Sequence, residues 1–266
     1  MDGAGPFDWL DHGDAARFAA PGDPAAIRAQ IRDEEGVDII IRHDAMTPML
    51  FVADMDSTMI GQECIDELAD YAGVKESVAA ITERAMRGEL DFEAALAGRV
   101  ELLKGLDEAV LADCLRTRIR ENPGAQTLLA TLKAKGVTTA LVSGGFTDFV
   151  QPIAARLGFD HYHANVLERD GAGKLTGRTT GAIVDARAKR EFAQGLLALK
   201  GWISADMIAI GDGANDLEMV KLAGLGVAYH AKPALAEAAD AVIRYHGLDA
   251  LLWGLGWPRD QWISSP

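Results

Sequence analysis

Cysteine is nearly absent: Cys64 and Cys114 are the 2 present in 266 residues. They lack both the paired spacing of a zinc site and the density of a disulfide scaffold, so a reducing cytoplasm is the expected setting. No apolar run reaches the length of a membrane helix. The first 13 positions carry Asp2, Asp8 and Asp11 instead of a basic start followed by an apolar stretch, which argues against a secretory leader. Internal repeats and low-complexity tracts are missing as well. Positive charge is scarce, with 26 Lys and Arg against 40 Asp and Glu and a net charge of -14. Such a field repels a nucleic-acid backbone and an anionic membrane, and no Lys/Arg-rich run offsets it, so neither is expected as a partner. The same field opposes a phosphate ester. A phosphate site here would have to be locally positive, built from a metal ion, one or two cations and helix N-termini.

Apolar residues, at 49% of the chain, are enough for a large core. Strand-length apolar runs recur at Val37 to Ile41, Met49 to Ala53, Val137 to Val142, Met207 to Ile210, Gly226 to Tyr229 and Ala241 to Ile243. Most are continuous, as in strands buried on both faces. Helical patterns at Thr147 to Leu157, Ala188 to Lys200 and Asn215 to Ala223 lie between several of them. This alternation predicts an α/β fold with a Rossmann-like parallel sheet. From Gly61 to about Pro123 it stops, and the stretch reads as helix throughout: Ile65, Leu68, Ala69 and Ala72 fall at i, i+3, i+4 and i+7. The expected organisation is an N-terminal extension over 1–45, an α/β core from 46–60 and 124–266, and an inserted helical cap over 61–123. Further cap helices are predicted over Val74 to Met86, Asp91 to Leu103 and Asp107 to Arg118, and a hairpin appended to the core over Ala164 to Thr180 around Asp170-Gly171. Before residue 45 the chain reads as polar and irregular, apart from one helix candidate at Pro24 to Glu35.

The sharpest local signal is Phe51-Val52-Ala53-Asp54-Met55-Asp56-Ser57-Thr58, a buried strand running into two carboxylates two residues apart. Residues i and i+2 of a strand point to one side, and the carboxyl ends of strands in an open α/β sheet are where ligands bind. A second strand ends in Gly211-Asp212-Gly213-Ala214-Asn215-Asp216. Oxygen ligands from separate strand tips suit a hard cation such as Mg²⁺, although the segment alone could be a helix N-cap. A third strand runs into Ser143-Gly144-Gly145-Phe146-Thr147. Its hydroxyl and bare amides could cradle an anion, or could form an ordinary strand-to-helix turn. Lys189 begins a helix, where a lone lysine is most often a solvated charge.

Together these features resemble the haloacid dehalogenase superfamily of phosphohydrolases. With Glu63-Cys64-Ile65-Asp66-Glu67-Leu68-Ala69 added, the pattern over residues 48 to 245 resembles that superfamily's phosphoserine phosphatase family. The resemblance implies Mg²⁺-dependent hydrolysis of the small molecule O-phosphoserine, the last step of serine biosynthesis, through an aspartyl-phosphate. It implies Asp54 as nucleophile, Asp56 as acid and then base, and Ser143, Gly144, Lys189 and Asn215 as phosphate ligands. The metal would be held by Asp54, the Asp56 carbonyl and Asp212, with Asp216 supporting that shell. Glu63 would meet the substrate ammonium and Arg99 its carboxylate, while Met86 and Phe92 would wall the pocket. Each of these four also has a plain reading, a first-turn glutamate, a solvated arginine and two packing residues.

Transfer to homoserine, or hydrolysis of another small phosphoester, is the nearest alternative. A phosphoacceptor signalling module is a more distant one, opposed by the inserted cap and by the aspartate at +2. Relatives often carry a separate N-terminal regulatory domain, whereas about 45 residues precede the core here, so feedback by serine is not expected. Trp253, Trp257 and Trp262 crowd the C-terminal tail. Packing back onto the core is favoured for them, and a homodimer interface is the alternative.

Overall fold

The structure, a computed structural model, describes residues 7–31, 35–42, 47–87 and 89–263. Strands β1 (Asp8–Asp11) and β2 (Ala15–Arg17) form an antiparallel hairpin, followed by helix α1 (Pro24–Ile31) and strands β3 (Ile39–Ile40) and β4 (Leu50–Ala53). Four helices come next: α2 (Cys64–Tyr71), α3 (Lys75–Met86), α4 (Phe92–Glu101) and α5 (Glu108–Thr117). The chain then runs through α6 (Ala125–Ala134), β5 (Thr138–Phe146), α7 (Thr147–Leu157), β6 (His161–Arg169), β7 (Leu175–Thr180) and α8 (Ala186–Lys200). It ends with β8 (Met207–Gly211), α9 (Leu217–Leu222), β9 (Leu225–Tyr229), α10 (Pro233–Ala238), β10 (Ala241–Ile243) and α11 (Ala250–Gly254).

Among the described residues, eight strands make one sheet in the order β3-β10-β9-β8-β4-β5-β6-β7. The six inner strands are parallel, and both edges are antiparallel, β3 to β10 and β7 to β6. Side-chain alternation explains why β4, β8 and β9, buried at every position, are apolar throughout. Phe51 and Ala53 of β4 face one cluster with α6, α7 and α11, while Leu50 and Val52 face the other with α8, α9 and α10. The first cluster continues without a break into Ile65, Leu68, Leu96, Val100 and Leu111 of α2, α4 and α5.

Several expectations are corrected here. The segment before residue 45 is not irregular: β1 and β2 pair, and Asp11 accepts from the Trp253 indole and, at 3.0 Å, from the Arg259 N–H. Those partners lie more than 240 residues away, so the local sequence carries no sign of them. The strand expected over Val37 to Ile41 pairs only at Ile39–Ile40, and of the helix expected over Pro24 to Glu35 positions 32–34 lie outside the described residues. The hairpin expected over Ala164 to Thr180 is present: Val166 to Arg169 of β6 pair with β7, past the residues His161 to Asn165 that pair with β5. Helices α6, α10 and α11 are additional to the helical patterns read from the sequence. Trp253, Trp257 and Trp262 pack back on the core, with Trp253 and Trp262 centroids 5.0 Å apart. No helix among the described residues is long and apolar enough to cross a membrane.

Two glycines give opposite tests of this packing. A Cβ on Gly226 in β9 would sit 2.5 Å from the Val220 carbonyl oxygen, whereas one on Gly195 in α8 would meet nothing within 4 Å. Gly226→Ala is expected to lower stability by about 2 kcal/mol through overpacking. Gly195→Ala is expected to raise it by about 0.5–1 kcal/mol by favouring helix. Urea melts that moved both variants in the same direction would contradict the strand-to-helix packing described here.

Candidate active site

Sheet register brings the acidic residues together. Ala53 of β4 pairs with Leu141 on one side and with Ile210 on the other. The residues one or two further on, Asp54, Ser143 and Asp212, therefore emerge side by side at the carboxyl edge of the sheet. All three are buried, with Asp54 3%, Ser143 1% and Asp212 6% exposed. From α8 comes Lys189, whose place is fixed by the Asp185 carboxylate accepting from the Ala188 N–H at 2.8 Å at the helix start.

Lys189 is fully buried and pairs with Asp54 Oδ1 at 2.9 Å and Asp216 Oδ1 at 2.7 Å. Burial alone would push this ammonium down, but the charges of Asp216 and Asp54 outweigh it and hold it above its ordinary value. The other Asp216 oxygen accepts from the Asp212 and Gly213 N–H groups, each at 3.1 Å. Asp216 thus orients both the lysine and the loop that carries Asp212. Asp54 Oδ1 also accepts from the Met55 N–H at 2.7 Å. Burial raises the Asp54 carboxyl well above its usual range, repulsion from Asp216 adds to this, and Lys189 opposes it.

Asp54, Asp212 and Asp216 each place one carboxylate oxygen within 4.8 Å of the others. Burial, then the Asp216 charge, pushes Asp212 up to about 6, with Lys232 pulling the other way. Clustered, buried, oxygen-only donors with excess negative charge fit a hard divalent cation. The Asp56 carboxylate stands outside this cluster.

After Asp54 the chain makes one wide turn over Met55–Met59, in which Asp56 is extended and Ser57 takes the left-handed conformation at φ 54°. This turns Asp56 toward the first residue of α2, where its Oδ1 accepts from the Cys64 N–H at 3.4 Å. Burial first, and then the charge of Glu63, raises Asp56 to about 7. Its other oxygen faces Gly145, where a Cβ would approach it to 3.0 Å. The Ser143 hydroxyl accepts from the Gly145 N–H at 2.9 Å, which leaves the hydroxyl hydrogen to donate elsewhere.

Glu63 precedes α2 and accepts from the Ser57 hydroxyl at 2.7 Å, so it does not act as a helix cap through its side chain. Arg99 in α4 is half-buried, and its Nε donates to the Ala95 carbonyl at 3.2 Å. Burial lowers its pKa, while Asp66, Glu63 and Asp56 act to raise it, which places the guanidinium in the field of all three carboxylates. Phe92 begins α4 and overhangs the Ser143-Gly144-Gly145 turn: a Cβ on Gly144 would lie 3.0 Å from its Cζ. Asn215 folds over the Asp212 loop, its Oδ1 2.5 Å from where a Gly213 Cβ would sit. The Met86 backbone ends α3, and its side chain lies outside the described residues.

Sequence reasoning missed two residues. Asn165, 1% exposed on β6, donates to the Gly144 carbonyl at 2.8 Å and accepts from the Val184 N–H at 2.8 Å, so it ties the Gly144 turn to the segment before α8. An asparagine inside a strand-like run was the available signal. Lys232, 3.5 Å from Asp212 Oδ2, lies just past the tip of β9, where the strand-tip rule applied to every strand would have reached it.

The pattern of the haloacid dehalogenase-like hydrolases matches residues 51–221. A phosphoserine phosphatase of Streptomyces coelicolor is 43% identical over 254 residues, covering 93% of this chain, and the chain spans 62% of that relative's length. A phosphoserine phosphatase of Albidiferax ferrireducens is 48% identical over 76% of this chain and 87% of its own. Among solved structures, a phospho-aspartyl intermediate analogue of a phosphoserine phosphatase aligns with TM-score 0.73 and 41% identity, over 78% of this chain and 98% of that one. A probable phosphoserine phosphatase from Vibrio cholerae aligns with TM-score 0.78 and 39% identity, over 92% and 76%. The chain belongs to the haloacid dehalogenase-like hydrolases, within their phosphoserine phosphatase family.

Proposed function

We propose that this chain hydrolyses O-phospho-L-serine to serine and inorganic phosphate through an aspartyl-phosphate on Asp54. The observation that supports this most directly is the Asp54 carboxylate held by buried Lys189 beside Asp212 and Asp216, at one edge of the sheet. The relatives named as phosphoserine phosphatases support the substrate. We read residues 61–123 as a cap over this edge, 46–60 and 124–266 as the core, and 1–45 as an extension. A cytoplasmic setting suits the two unpaired thiols.

Mg²⁺ would be held by Asp54, Asp212 and the Asp56 carbonyl, with Asp216 behind them, and when bound would neutralise charge on the transferring phosphoryl group. Asp54 attacks phosphorus while the bond to the serine oxygen breaks, and Asp56 gives its proton to that oxygen. Asp56, now a carboxylate, takes a proton from water, whose oxygen attacks phosphorus and releases phosphate and free Asp54. A pKa near 7 keeps a share of Asp56 protonated at neutral pH, as the first step requires. An ammonium has three donors; two of those on Lys189 serve Asp54 and Asp216, and the third remains for a phosphoryl oxygen. Ser143, Gly144 and Asn215 complete the phosphate contacts. Glu63 takes the substrate ammonium and Arg99 its carboxylate, beside a wall formed by Phe92.

Phosphate release from O-phospho-L-serine is expected with Mg²⁺ and is expected to stop with EDTA; homoserine in a parallel reaction separates hydrolysis from transfer. Asp54→Asn should abolish turnover together with the acid-labile phosphoryl-enzyme, and full activity in that variant would end the mechanism. Asp56→Asn should slow both half-reactions by about 10²–10⁴-fold, as loss of general acid-base catalysis does. For Arg99→Ala, KM for phosphoserine should rise about tenfold or more, while a phosphoester without a carboxylate changes little. An equal change for the two substrates would remove Arg99 from the carboxylate site.

A further inference from the structure

Lys232 touches Asp212 twice. Its backbone N–H donates to the Asp212 carbonyl at 2.9 Å, and its ammonium lies 3.5 Å from Asp212 Oδ2. The first contact fixes where the side chain starts, so the second is not a chance encounter of a roaming lysine. No side chain intervenes at Gly213, where a Cβ would lie 3.8 Å from Lys232 Nζ.

The two lysines of the site differ in kind. Lys189 is fully buried and serves Asp54 and Asp216, whereas the Lys232 side chain is 61% exposed and serves Asp212. A buried ammonium bonded on two sides stays where it is. An exposed one on a flexible stem can turn into water at little cost. Of the three clustered carboxylates, Asp212 alone takes its neutralising charge from a cation that can leave.

We propose that Lys232 is a displaceable counter-ion of Asp212, a positioning residue that competes with the divalent cation for that carboxylate and so sets how tightly the site takes the cation. This rests on the reading of Asp212 as a metal ligand. The sign follows from Coulomb's law: a cation approaching Asp212 meets an ammonium already drawn to the same carboxylate, and repulsion opposes entry until the side chain swings out. The size follows from exposure, since a solvent-screened pair is weak and removing it changes an affinity a few-fold and not by orders of magnitude.

The test is direct cation binding without substrate, with Mn²⁺ as the probe and bound metal followed by water-proton relaxation or calorimetry. Lys232→Met is expected to bind Mn²⁺ about threefold more tightly than wild type, with the gain shrinking as salt is added. Lys232→Arg should stay near wild type, and Lys174→Met, which removes an exposed charge from the β6-β7 turn, should not reproduce the gain. Unchanged or weaker binding in Lys232→Met, or an equal gain in Lys174→Met, overturns the inference. Asp212→Asn separates the two readings. If it loses Mn²⁺ while Lys232→Met behaves as wild type, the counter-ion role alone fails; if it binds as wild type does, Asp212 is not a ligand and both fail.

Discussion

The buried ammonium of Lys189, set between Asp54 and Asp216, is the interaction on which the rest of the site depends. Carboxylates this close, and this far from water, repel one another, and each burial carries a desolvation cost of several kcal/mol. Lys189 offsets both effects, the Met55 N–H donates to the same Asp54 oxygen, and the Asp212 and Gly213 N–H groups satisfy the second oxygen of Asp216. Removing the lysine would leave buried charge without compensation, so Asp54 would either take up a proton or move. Either response would disable the nucleophile proposed at Asp54. The dependence runs further back, because the Asp185 cap fixes the start of α8 and therefore where Lys189 enters.

This arrangement also resolves the charge problem posed by composition. A chain of net charge -14 is a poor host for a phosphate ester at long range. The site answers locally, with one ammonium that cannot leave, a cluster of carboxylates suited to a divalent ion, and a hydroxyl whose hydrogen is free because its oxygen already accepts from Gly145. At these short distances a few fixed charges outweigh many distant, screened ones.

Strand tips were legible in the sequence because β4, β5 and β8 are adjacent and in register, so a rule about single strands translates into one shared edge. Asp54, Ser143 and Asp212 could be picked out on that basis, whereas Asp56, read from its spacing to Asp54, is aimed by the wide turn after the strand. The burial of Lys189 could not, since its partners are supplied by β4 and by the loop after β8, and a lysine at a helix start reads as solvated. Asn165 was hidden for the same reason: its purpose is to hold the Gly144 carbonyl, 21 residues away. The antiparallel edges and the β1-β2 hairpin depend on pairing across long separations that no local period records, whereas the Leu128, Leu129 and Leu132 spacing of α6 was present to be read.

In the reading proposed above, what distinguishes one phosphoester from another lies in the helices beyond the sheet. The wide turn after Asp54 holds Ser57 at a positive φ, which costs a non-glycine residue about 1 kcal/mol or more. That strain persists because the turn is fastened at two points. The Ser57 N–H donates to the Gln62 carbonyl at 3.2 Å, and its hydroxyl donates to Glu63 at 2.7 Å. Glu63 is thereby tied to the same turn that aims Asp56, while Phe92 from α4 closes over Gly144 from the other side. A shift of α2 would move the proposed recognition group Glu63 and the proposed proton-transfer group Asp56 together. In the proposed reading, a ligand that fails to engage Glu63 would then lose alignment at Asp56 as well as affinity, which is how contacts remote from phosphorus can act on the chemical step.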